Sequence, residues 1–292
     1  MARVEIVTVS YKNHGDTKAF LESFMSLRGY EACHVTVVNN AVGSEDESEL
    51  NRMAEFCAGS VTMVYSPENL YYWGGANLVV PPLLDSKGER GNADWVIVCN
   101  NDVLFNDPSF LETLGTYDPS NHGVIAPSII SLATSRDQNP FLRKSPSFLN
   151  LIKWRLQYSS FHIAKMLLGL TWVLEPMRRL MRRDGHPDRT RKGEDIFAPH
   201  GAFVIFSRRY FETGGRLDTR VPMYMEEIST GAIAEQIGVP VRFCPELQVQ
   251  HREHATTGSE LTRIQWSRTK VGFDHVWRHY LSPRSRRQHR VS

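Results

Sequence analysis

The sequence is poor in cysteine and in net charge. Four cysteines occur in 292 residues, and no two of them form a CxxC pair. This set provides neither the ligand spacing of a zinc site nor a disulfide framework, so we expect reduced, buried thiols. Basic and acidic side chains nearly balance, which leaves a formal net charge of +2. So small a charge excludes the overall basic field of a nucleic-acid-binding protein, and any basic surface must be local.

Two phosphate-binding fingerprints are also missing. The stretch VTVSYKNHGDTK has neither GxGxxG nor GxxxxGK[ST], which argues against a nicotinamide-dependent dehydrogenase and a P-loop kinase. No basic start followed by a long apolar run precedes the strand pattern at Val4. We therefore expect no secretory signal and a cytoplasmic protein.

Strand and helix patterns alternate from Val4 to about residue 130. The strand patterns are Val4–Val9, His34–Val38, Val61–Tyr65 and Trp95–Cys99. Between the first two lies an apolar helix pattern for which Asp16 is the predicted N-cap. This order predicts an α/β fold with a mainly parallel central sheet and helices on both faces. In such open sheets, ligands bind beyond the carboxyl ends of the strands.

Each predicted strand ends in polar side chains. These ends comprise Thr8, Ser10 and Tyr11, then Asn39 and Asn40, then Asn69, and finally Asn100, Asn101 and Asp102. One such end alone is most simply a turn, because Asn, Asp and Ser favour turns for backbone reasons. Four ends at one sheet edge favour a ligand site instead. A carboxylate such as that of Asp102 suits Mg²⁺, which completes its shell with phosphate oxygens and water.

Five stretches carry a resemblance to a known family. They are VEIVTVSYKN, VTVVNNAVGSEDES, PENLYYWGGANL, VIVCNNDVLF and HGAFVIFSRRYFETGGRLDTRVPMYMEEI. In order and spacing they resemble the family 2 glycosyltransferases of the GT-A fold, which is Rossmann-like, and most closely the bacterial rhamnosyltransferase-like subgroup of surface-polysaccharide biosynthesis. The resemblance covers most of Val4 to Gly258. It implies a GT-A domain at 1–258 with a helical, basic insertion at 140–195, followed by a C-terminal helix and basic tail at 259–292.

The resemblance also implies roles for the polar strand ends. The residues that it assigns to nucleotide-sugar binding are Thr8, Ser10, Tyr11, Asn39, Asn40, Asn69, Gly74, Gly75, Asn77, Asn100 and Asn101. Asp102 would hold Mg²⁺ or Mn²⁺ against the donor diphosphate, and His251 would complete the metal shell from the opposite side. The nearby His254 receives no role.

The stretch MYMEEI supplies two adjacent carboxylates ahead of a predicted helix that runs to Gly238. The helix dipole alone also favours an acidic pair in a first turn. The resemblance places Glu227 at the family's catalytic aspartate. It implies that Glu227 deprotonates the acceptor hydroxyl and that Glu226 is its neighbour or an acceptor ligand.

The segment 140–195 joins an apolar helical pattern to a cluster of arginines between Arg178 and Arg191. The uncharged run Met166–Leu174 is far shorter than the roughly 20 residues that span a bilayer. Two interpretations remain open. The segment is either a helical subdomain packed on the core with a solvated basic loop, or a helix that lies peripherally on an anionic membrane beside a lipid-linked acceptor. The tail adds Arg284, Arg286, Arg287 and Arg290.

Several positions depart from the family pattern. Asn39 replaces an acidic residue, Tyr71 stands where the loop over the nucleotide usually has glycine, and Ser229 and Ile233 replace a later aspartate and arginine. The predicted function is an inverting, metal-dependent transfer of a sugar to a surface-polysaccharide or lipid-linked saccharide. The subgroup implies dTDP-rhamnose as the donor. One alternative is a non-catalytic sugar-nucleotide-binding or glycan-binding relative. Another is a sugar nucleotidyltransferase, although the glycine-rich basic loop of that class is absent.

Overall fold

The centre of the computed structural model is a nine-stranded sheet. The structure describes residues 2–41, 47–57, 59–85, 92–170, 193–253, 262–283 and 285. Within them the strands are β1 Val4–Ser10, β2 His34–Asn39, β3 Val61–Tyr65, β4 Trp95–Asn100, β5 Val103–Phe105, β6 Val124–Ser131, β7 Glu194–Ile196, β8 Phe203–Ser207 and β9 Val241–His251. Their order across the sheet is β3-β2-β1-β4-β8-β6-β9-β5, and β7 also pairs with β9.

The first half of the sheet is parallel. β1 lies between β2 and β4, with Ser10 opposite Asn39 and Val9 opposite Asn100. The polar ends of these strands therefore meet at one edge, as the sequence predicts. The second half is mixed, because β8 runs antiparallel to both β4 and β6, while β6 and β9 are parallel. The α/β fold class is confirmed.

Helices cover both faces of the sheet. They are α1 His14–Met25, α2 Glu47–Phe56, α3 Tyr71–Asn77, α4 Val80–Leu84, α5 Phe110–Leu114, α6 Phe148–Gln157, α7 Arg208–Glu212, α8 Glu226–Gln236 and α9 Arg263–Val276. Residues 161–170 are also helical. A short 3₁₀ helix spans Tyr30–Ala32, and α9 continues into a π-helical turn at Trp277–Leu281. No helix within the described ranges is long and apolar enough to cross a membrane.

The core has two parts, one on each face of the sheet. On β4, Val96 and Val98 belong to one cluster, whereas Trp95, Ile97 and Cys99 belong to the other. This explains why the strand is apolar at every position: it is buried from both sides. All four cysteines are buried and form no disulfide.

The start of α1 differs from the prediction. The N-cap is Asn13, whose side-chain oxygen accepts the N–H of Asp16 at 3.4 Å, so Asp16 lies inside the first turn instead of preceding the helix. Asp16 is buried and lies 3.6 Å from the guanidinium of Arg252. The carboxylate therefore connects the start of α1 to the end of β9, which a local capping pattern does not reveal.

The described part of the 140–195 segment packs against α9. The indole N–H of Trp266 donates to the carbonyl of Gln157 at 3.3 Å, and the rings of Tyr158 and Phe273 lie 4.6 Å apart. This packing agrees with the helical-subdomain interpretation for residues 140–170. The arginines from Arg178 to Arg191 lie outside the described residues. So do His254, Gly258 and the tail arginines Arg284, Arg286, Arg287 and Arg290.

Candidate active site

Asp102 and His251 lie together at the edge of the sheet. The chain turns after β4 at Asn101 and Asp102, and β5 then pairs antiparallel with β9, with Val103 opposite His251. This register brings Asp102 Oδ1 to 3.1 Å from His251 Nε2, across 149 residues of sequence. The two side chains that the resemblance assigns to a metal are thus neighbours.

A relay of polar side chains orients His251. Its Nδ1 lies 2.8 Å from Oε1 of Gln138, whose amide nitrogen donates to Glu253. The other Glu253 oxygen accepts a hydrogen bond from Ser131 Oγ at 2.8 Å. Because a carboxylate only accepts, Gln138 must turn its NH₂ to Glu253 and its oxygen to His251. Nδ1 of His251 therefore donates its proton to Gln138, and Nε2 faces Asp102.

This arrangement fits a divalent cation. A metal-bound histidine usually donates its second ring N–H to an oxygen acceptor, as His251 does towards Gln138. With Nδ1 bonded to Gln138, Nε2 of His251 and the Asp102 carboxylate lie 3.1 Å apart, where both could bind one cation. Within the described ranges, no group of three or more His, Cys, Asp and Glu side chains could hold a metal. A cation bound here would therefore need further ligands from a substrate or water.

The ends of β1 and β4 are tied to α1. Ser10 is fully buried, and its hydroxyl accepts a hydrogen bond from Thr17 Oγ1 at 3.0 Å. The amide of Asn101 donates to the same Thr17 oxygen and to the Asn13 carbonyl, both at 3.0 Å. Thr8 is buried beside them, whereas Tyr11 is 49% exposed. Asn101 thus fixes the strand end against the helix.

The end of β2 carries two buried amides that are each only half satisfied. Asn39 Oδ1 accepts the N–H of Ala41 at 2.9 Å, and Asn40 Nδ2 donates to the carbonyl of Tyr71 at 2.7 Å. Among the described residues, Asn39 Nδ2 and Asn40 Oδ1 have no hydrogen-bond partner. Buried polar atoms normally have partners, so these two atoms are suited to a ligand.

Glycine at position 75 allows α3 to approach these amides. A Cβ there would lie 2.9 Å from Asn40 Nδ2 and 3.1 Å from Val9 Cγ1. The neighbouring Asn69 is exposed, and its Oδ1 accepts the Tyr71 N–H at 3.0 Å. Gly74 and Asn77 lie in α3 and Asn100 at the end of β4, each partly exposed.

Tyr71 adopts a backbone conformation that explains one departure from the family. Its φ of +60° lies in the left-handed region that favours glycine. Its carbonyl receives the Asn40 amide, and the guanidinium of Arg268 lies 5.8 Å from its ring centroid. The backbone at position 71 therefore has a conformation that suits glycine, and a tyrosine in this conformation is strained.

The two glutamates begin α8. Glu226 is buried, and its Oε2 accepts the N–H of Met225 at 2.7 Å. Glu227 is partly exposed, and its Oε1 accepts the N–H of Gly201 at 3.3 Å. Burial raises the pKa of both carboxyls, and the charge of Glu227 raises the pKa of Glu226 further. Such groups take up protons more readily than solvated glutamates.

Tyr72, which the sequence does not single out, connects the glutamates to the metal pair. Its hydroxyl donates to the Gly201 carbonyl at 3.0 Å. Burial raises its pKa well above the ordinary value, and the negative charges of Glu226, Asp102 and Glu227 contribute. Tyr72 is therefore within electrostatic reach of both carboxylate groups.

His200 is a second neighbour that the sequence does not single out. Its ring centroid lies 6.0 Å from that of His251, and its Nδ1 accepts the Ala202 N–H at 3.2 Å. Burial lowers the pKa of His200 to about 4, with a further contribution from His251. In the sequence, the one feature that points to His200 is its position directly before Gly201 in the stretch HGAF.

Strained backbone is concentrated around these groups. Among the described non-glycine residues with positive φ, four lie in or beside segments that carry site residues: Lys12, Tyr71, Tyr224 and Glu253. Strain of this kind costs of order 1–3 kcal/mol per residue and is common at functional sites.

Sequence comparison finds a related enzyme. No protein-family model matches the chain. The chain is 24% identical over 260 residues to the N-acetylglucosaminyl-diphospho-decaprenol L-rhamnosyltransferase of Mycobacterium tuberculosis, an alignment that covers 87% of this chain and 78% of the relative. The sequence from a second strain of that organism matches equally.

Structure comparison finds glycosyltransferases bound to nucleotides or nucleotide sugars. GalNAc-T7 with UDP, GalNAc and Mn²⁺ aligns with a TM-score of 0.57 and 11% identity over 94% of this chain; the chain spans about half the length of that relative, 48%. Mannosyltransferase PcManGT from Pyrobaculum calidifontis with GDP-Man and Mn²⁺ aligns with a TM-score of 0.51 and 12% identity, covering 99% of this chain and 73% of that one. The chain therefore has the GT-A fold, and its resemblance to the rhamnosyltransferase-like glycosyltransferases is confirmed.

Proposed function

We propose that this protein is an inverting, metal-dependent glycosyltransferase that transfers L-rhamnose from a nucleotide-diphosphate donor to a lipid-linked or surface-polysaccharide saccharide. The observation that carries the proposal is the Asp102–His251 pair at the strand ends. Gly201 lies between Tyr72 and the proposed base, because its carbonyl accepts the Tyr72 hydroxyl and its N–H donates to Glu227. The relative in Mycobacterium tuberculosis, by its name, is a rhamnosyltransferase that acts on a diphospho-decaprenol saccharide. In this proposal residues 1–258 form the GT-A domain, with an insertion at 140–195 and a C-terminal helix and tail at 259–292.

The donor nucleotide would lie along the ends of β1, β2 and β4. Asn39 Nδ2 and Asn40 Oδ1 are a donor and an acceptor without partners in the described structure, so they match the edge of a base or a ribose. Asp102 and His251 would hold Mg²⁺ or Mn²⁺, which supplies charge to offset the departing diphosphate. The structural relatives carry Mn²⁺ with a nucleotide or nucleotide sugar, which supports this use.

Glu227 is the proposed base. Its carboxylate takes the proton of the acceptor hydroxyl as that oxygen bonds to the anomeric carbon, and the bond from this carbon to the diphosphate breaks on the opposite face. The Gly201 N–H fixes one oxygen of Glu227, and partial exposure leaves the group accessible to an acceptor. Its raised pKa makes it a stronger base than a solvated glutamate. Glu226 is buried beside Glu227, and its proposed role is to help position the acceptor.

The test separates binding from turnover. Glu227→Gln is expected to keep metal-dependent donor binding and to lose roughly 10²–10⁴-fold in turnover, because only the base is removed. Glu235→Gln is the matched control, since it makes the same change at an exposed position on the same helix. Binding is measured by thermal shift with UDP, dTDP, GDP and CDP, each with and without Mn²⁺. Turnover is measured as release of the nucleoside diphosphate.

Three outcomes matter. Normal turnover by Glu227→Gln would refute the base assignment. Metal-dependent nucleotide binding without turnover in the wild type, across the donor sugars offered with that nucleotide, would favour the non-catalytic binding protein. The absence of any nucleotide-dependent shift at a concentration of roughly 100 times a typical dissociation constant, where about 2.7 kcal/mol is expected, would contradict the donor site itself.

A further inference from the structure

Helix α6 is apolar on two opposite faces. On the inner face, Leu151 is buried, and Trp154 and Tyr158 are partly buried against the core. A second set of large apolar side chains on the same helix is exposed: Phe148 by 67%, Leu149 by 75%, Ile152 by 42% and Leu156 by 53%. The helix is therefore anchored to the protein on one side, and its other side has no apolar cover within the described structure.

The exposed side chains form one continuous stripe. At 3.6 residues per turn, positions 148, 149, 152 and 156 fall within about 100° of the helix circumference. Lys153 lies just beyond one edge of this arc and Arg155 just beyond the other, and both are exposed. An apolar stripe with a cation along each edge is the pattern of a helix that lies in a membrane interface. We call these four apolar and two basic residues the α6 face.

Further cations lie beside the Arg155 edge. There a cleft of about 400 Å³ opens between α6 and α9, and it contains none of the proposed active-site residues. Its lining is Arg155, Tyr158, Ser159, Lys270, Phe273, Asp274, Trp277 and Arg278. Lys270 pairs with Asp274, the only acidic side chain in this lining. The guanidinium of Arg155 lies 5.0 Å from the ring centroid of Trp277.

We infer that the α6 face docks this protein on an anionic membrane surface, with its apolar stripe at the boundary between headgroups and acyl chains. The charges select this occupant. A second copy docked face to face would bring Lys153 and Arg155 close to the same cations of its partner, whereas anionic headgroups neutralise them. Exposed apolar surface of this kind is also uncommon on a protein that has no partner.

The α6 face is joined to the proposed active site by a short segment. Leu142 forms a β-bridge with Ala198, and the ring of Phe141 lies 6.0 Å from that of His200 beside His251. Fewer than ten residues then lead to the start of α6 at Phe148. Docking would hold the site close to the headgroups, where it could reach a lipid-linked acceptor. Access to such an acceptor rests on the proposed function, whereas docking itself does not.

Vesicle co-sedimentation of the full chain tests the inference. Wild-type protein is expected to bind vesicles of phosphatidylglycerol and phosphatidylcholine, and to bind phosphatidylcholine alone weakly. Leu149→Asp with Ile152→Asp is expected to lower the partition coefficient roughly tenfold or more, because two apolar anchors are lost. Asn150→Asp with Gln157→Glu adds the same charge to the side of α6 away from the stripe. The partition coefficient of this control variant is expected to fall much less than that of Leu149→Asp with Ile152→Asp.

Charge and fold are checked separately. Lys153→Glu is expected to lower binding to anionic vesicles several-fold and to leave binding to neutral vesicles unchanged. All replaced apolar side chains are exposed, so the melting temperatures of the variants should match the wild type. Metal-dependent nucleotide binding is measured on every variant. If it is normal while vesicle binding falls, docking and the donor site are independent.

Two results would overturn the inference. One is wild-type protein that stays in the supernatant with anionic vesicles at low salt. The other is equal vesicle binding by the stripe variant and its charge-matched control. A dimer in solution that Leu149→Asp with Ile152→Asp dissociates, with no vesicle binding, would assign the stripe to a second copy instead.

Discussion

The two halves of the sheet build the proposed site in different ways. In the parallel half, β3-β2-β1-β4, each polar residue follows its own strand, and the strands end at the same edge. In the mixed half, the important neighbours come from distant segments, as with Asp102, Gln138 and His251. In the parallel half, the site residues directly follow their strands, so the local sequence identifies them. In the mixed half, residues far apart in sequence become neighbours through antiparallel pairing, and only the register of that pairing predicts the contact. If this division is functional, each half can be disabled by itself.

Of the variants that disable one half of the sheet, the largest effect is expected from breaking the relay in the mixed half. Gln138→Leu removes the oxygen that holds the Nδ1 proton of His251, so Nε2 is no longer fixed towards Asp102. Loss of such a partner typically lowers metal affinity by about 10–100-fold. We expect weaker Mn²⁺ binding by calorimetry, with metal-free nucleotide binding unchanged.

The control for this variant is Gln248→Leu. Gln248 lies on β9 and accepts a hydrogen bond from Asn106 at an exposed position. The Gln248→Leu variant should bind Mn²⁺ with the same affinity as the wild type. Equal Mn²⁺ affinity in Gln138→Leu and the wild type would show that the relay does not orient His251 for a metal.

A smaller effect is expected in the parallel half. Gly75→Ala places a methyl group 2.9 Å from Asn40 Nδ2 and should displace the Asn40 amide. Overpacking of this kind typically costs about 1–3 kcal/mol. We expect a lower melting temperature and weaker nucleotide binding even without metal, while Mn²⁺ binding alone is retained.

Gly15→Ala is its matched control. Gly15 lies in α1 with no atom within 4 Å of a Cβ built there, so alanine should stabilise the protein slightly, by roughly 0.5–1 kcal/mol. If Gly75→Ala binds nucleotide as tightly as Gly15→Ala, close approach of α3 is not needed for the donor.

The pH dependence of stability tests the glutamate pair at the start of α8. Burial raises the pKa of Glu226 above its unfolded value, so between the two pKa values the folded state binds more protons than the unfolded state. The contribution of Glu226 to stability is present below the unfolded pKa and is lost as pH rises through the folded pKa. Glu226→Gln should therefore stabilise the protein at alkaline pH, by on the order of 1 kcal/mol per pKa unit.

Chemical denaturation of both proteins from pH 4 to pH 9 gives the free energy of unfolding at each pH and so measures this effect. Glu235→Gln again serves as the control, since Glu235 is exposed. Parallel stability curves for Glu226→Gln and the wild type would mean that Glu226 ionises in the folded protein as it does in water.

The smallest effect is expected at Tyr71. Glycine adopts the +60° φ of this residue without strain but loses the contact with Arg268. The two changes oppose each other, so Tyr71→Gly should change the free energy of unfolding by no more than about 1 kcal/mol. Denaturant titration measures it. A loss well beyond this value would mean that the aromatic ring, and not the backbone conformation, maintains the loop.

The fold and half of the site could be predicted because their signals are local. The parallel strands, their polar ends and the glutamates at the start of α8 all follow from short-range patterns. The local pattern predicts Asp16 as the N-cap of α1, whereas the N-cap is Asn13 and Asp16 lies 3.6 Å from Arg252, a partner 236 positions later in the sequence. Gln138, Tyr72 and His200 were missed for the same reason. Each contacts residues at least 50 positions away, and no spacing rule encodes such contacts.

One residue, Gly201, contacts both Tyr72 of α3 and the proposed base Glu227. Its carbonyl accepts the Tyr72 hydroxyl, and its N–H donates to Glu227. A donor that repositions Tyr72 would therefore also reposition the carboxylate before any acceptor arrives. Under the proposed function, this coupling would favour ordered addition, in which the sugar nucleotide binds first and the acceptor then meets a carboxylate that the donor has already positioned.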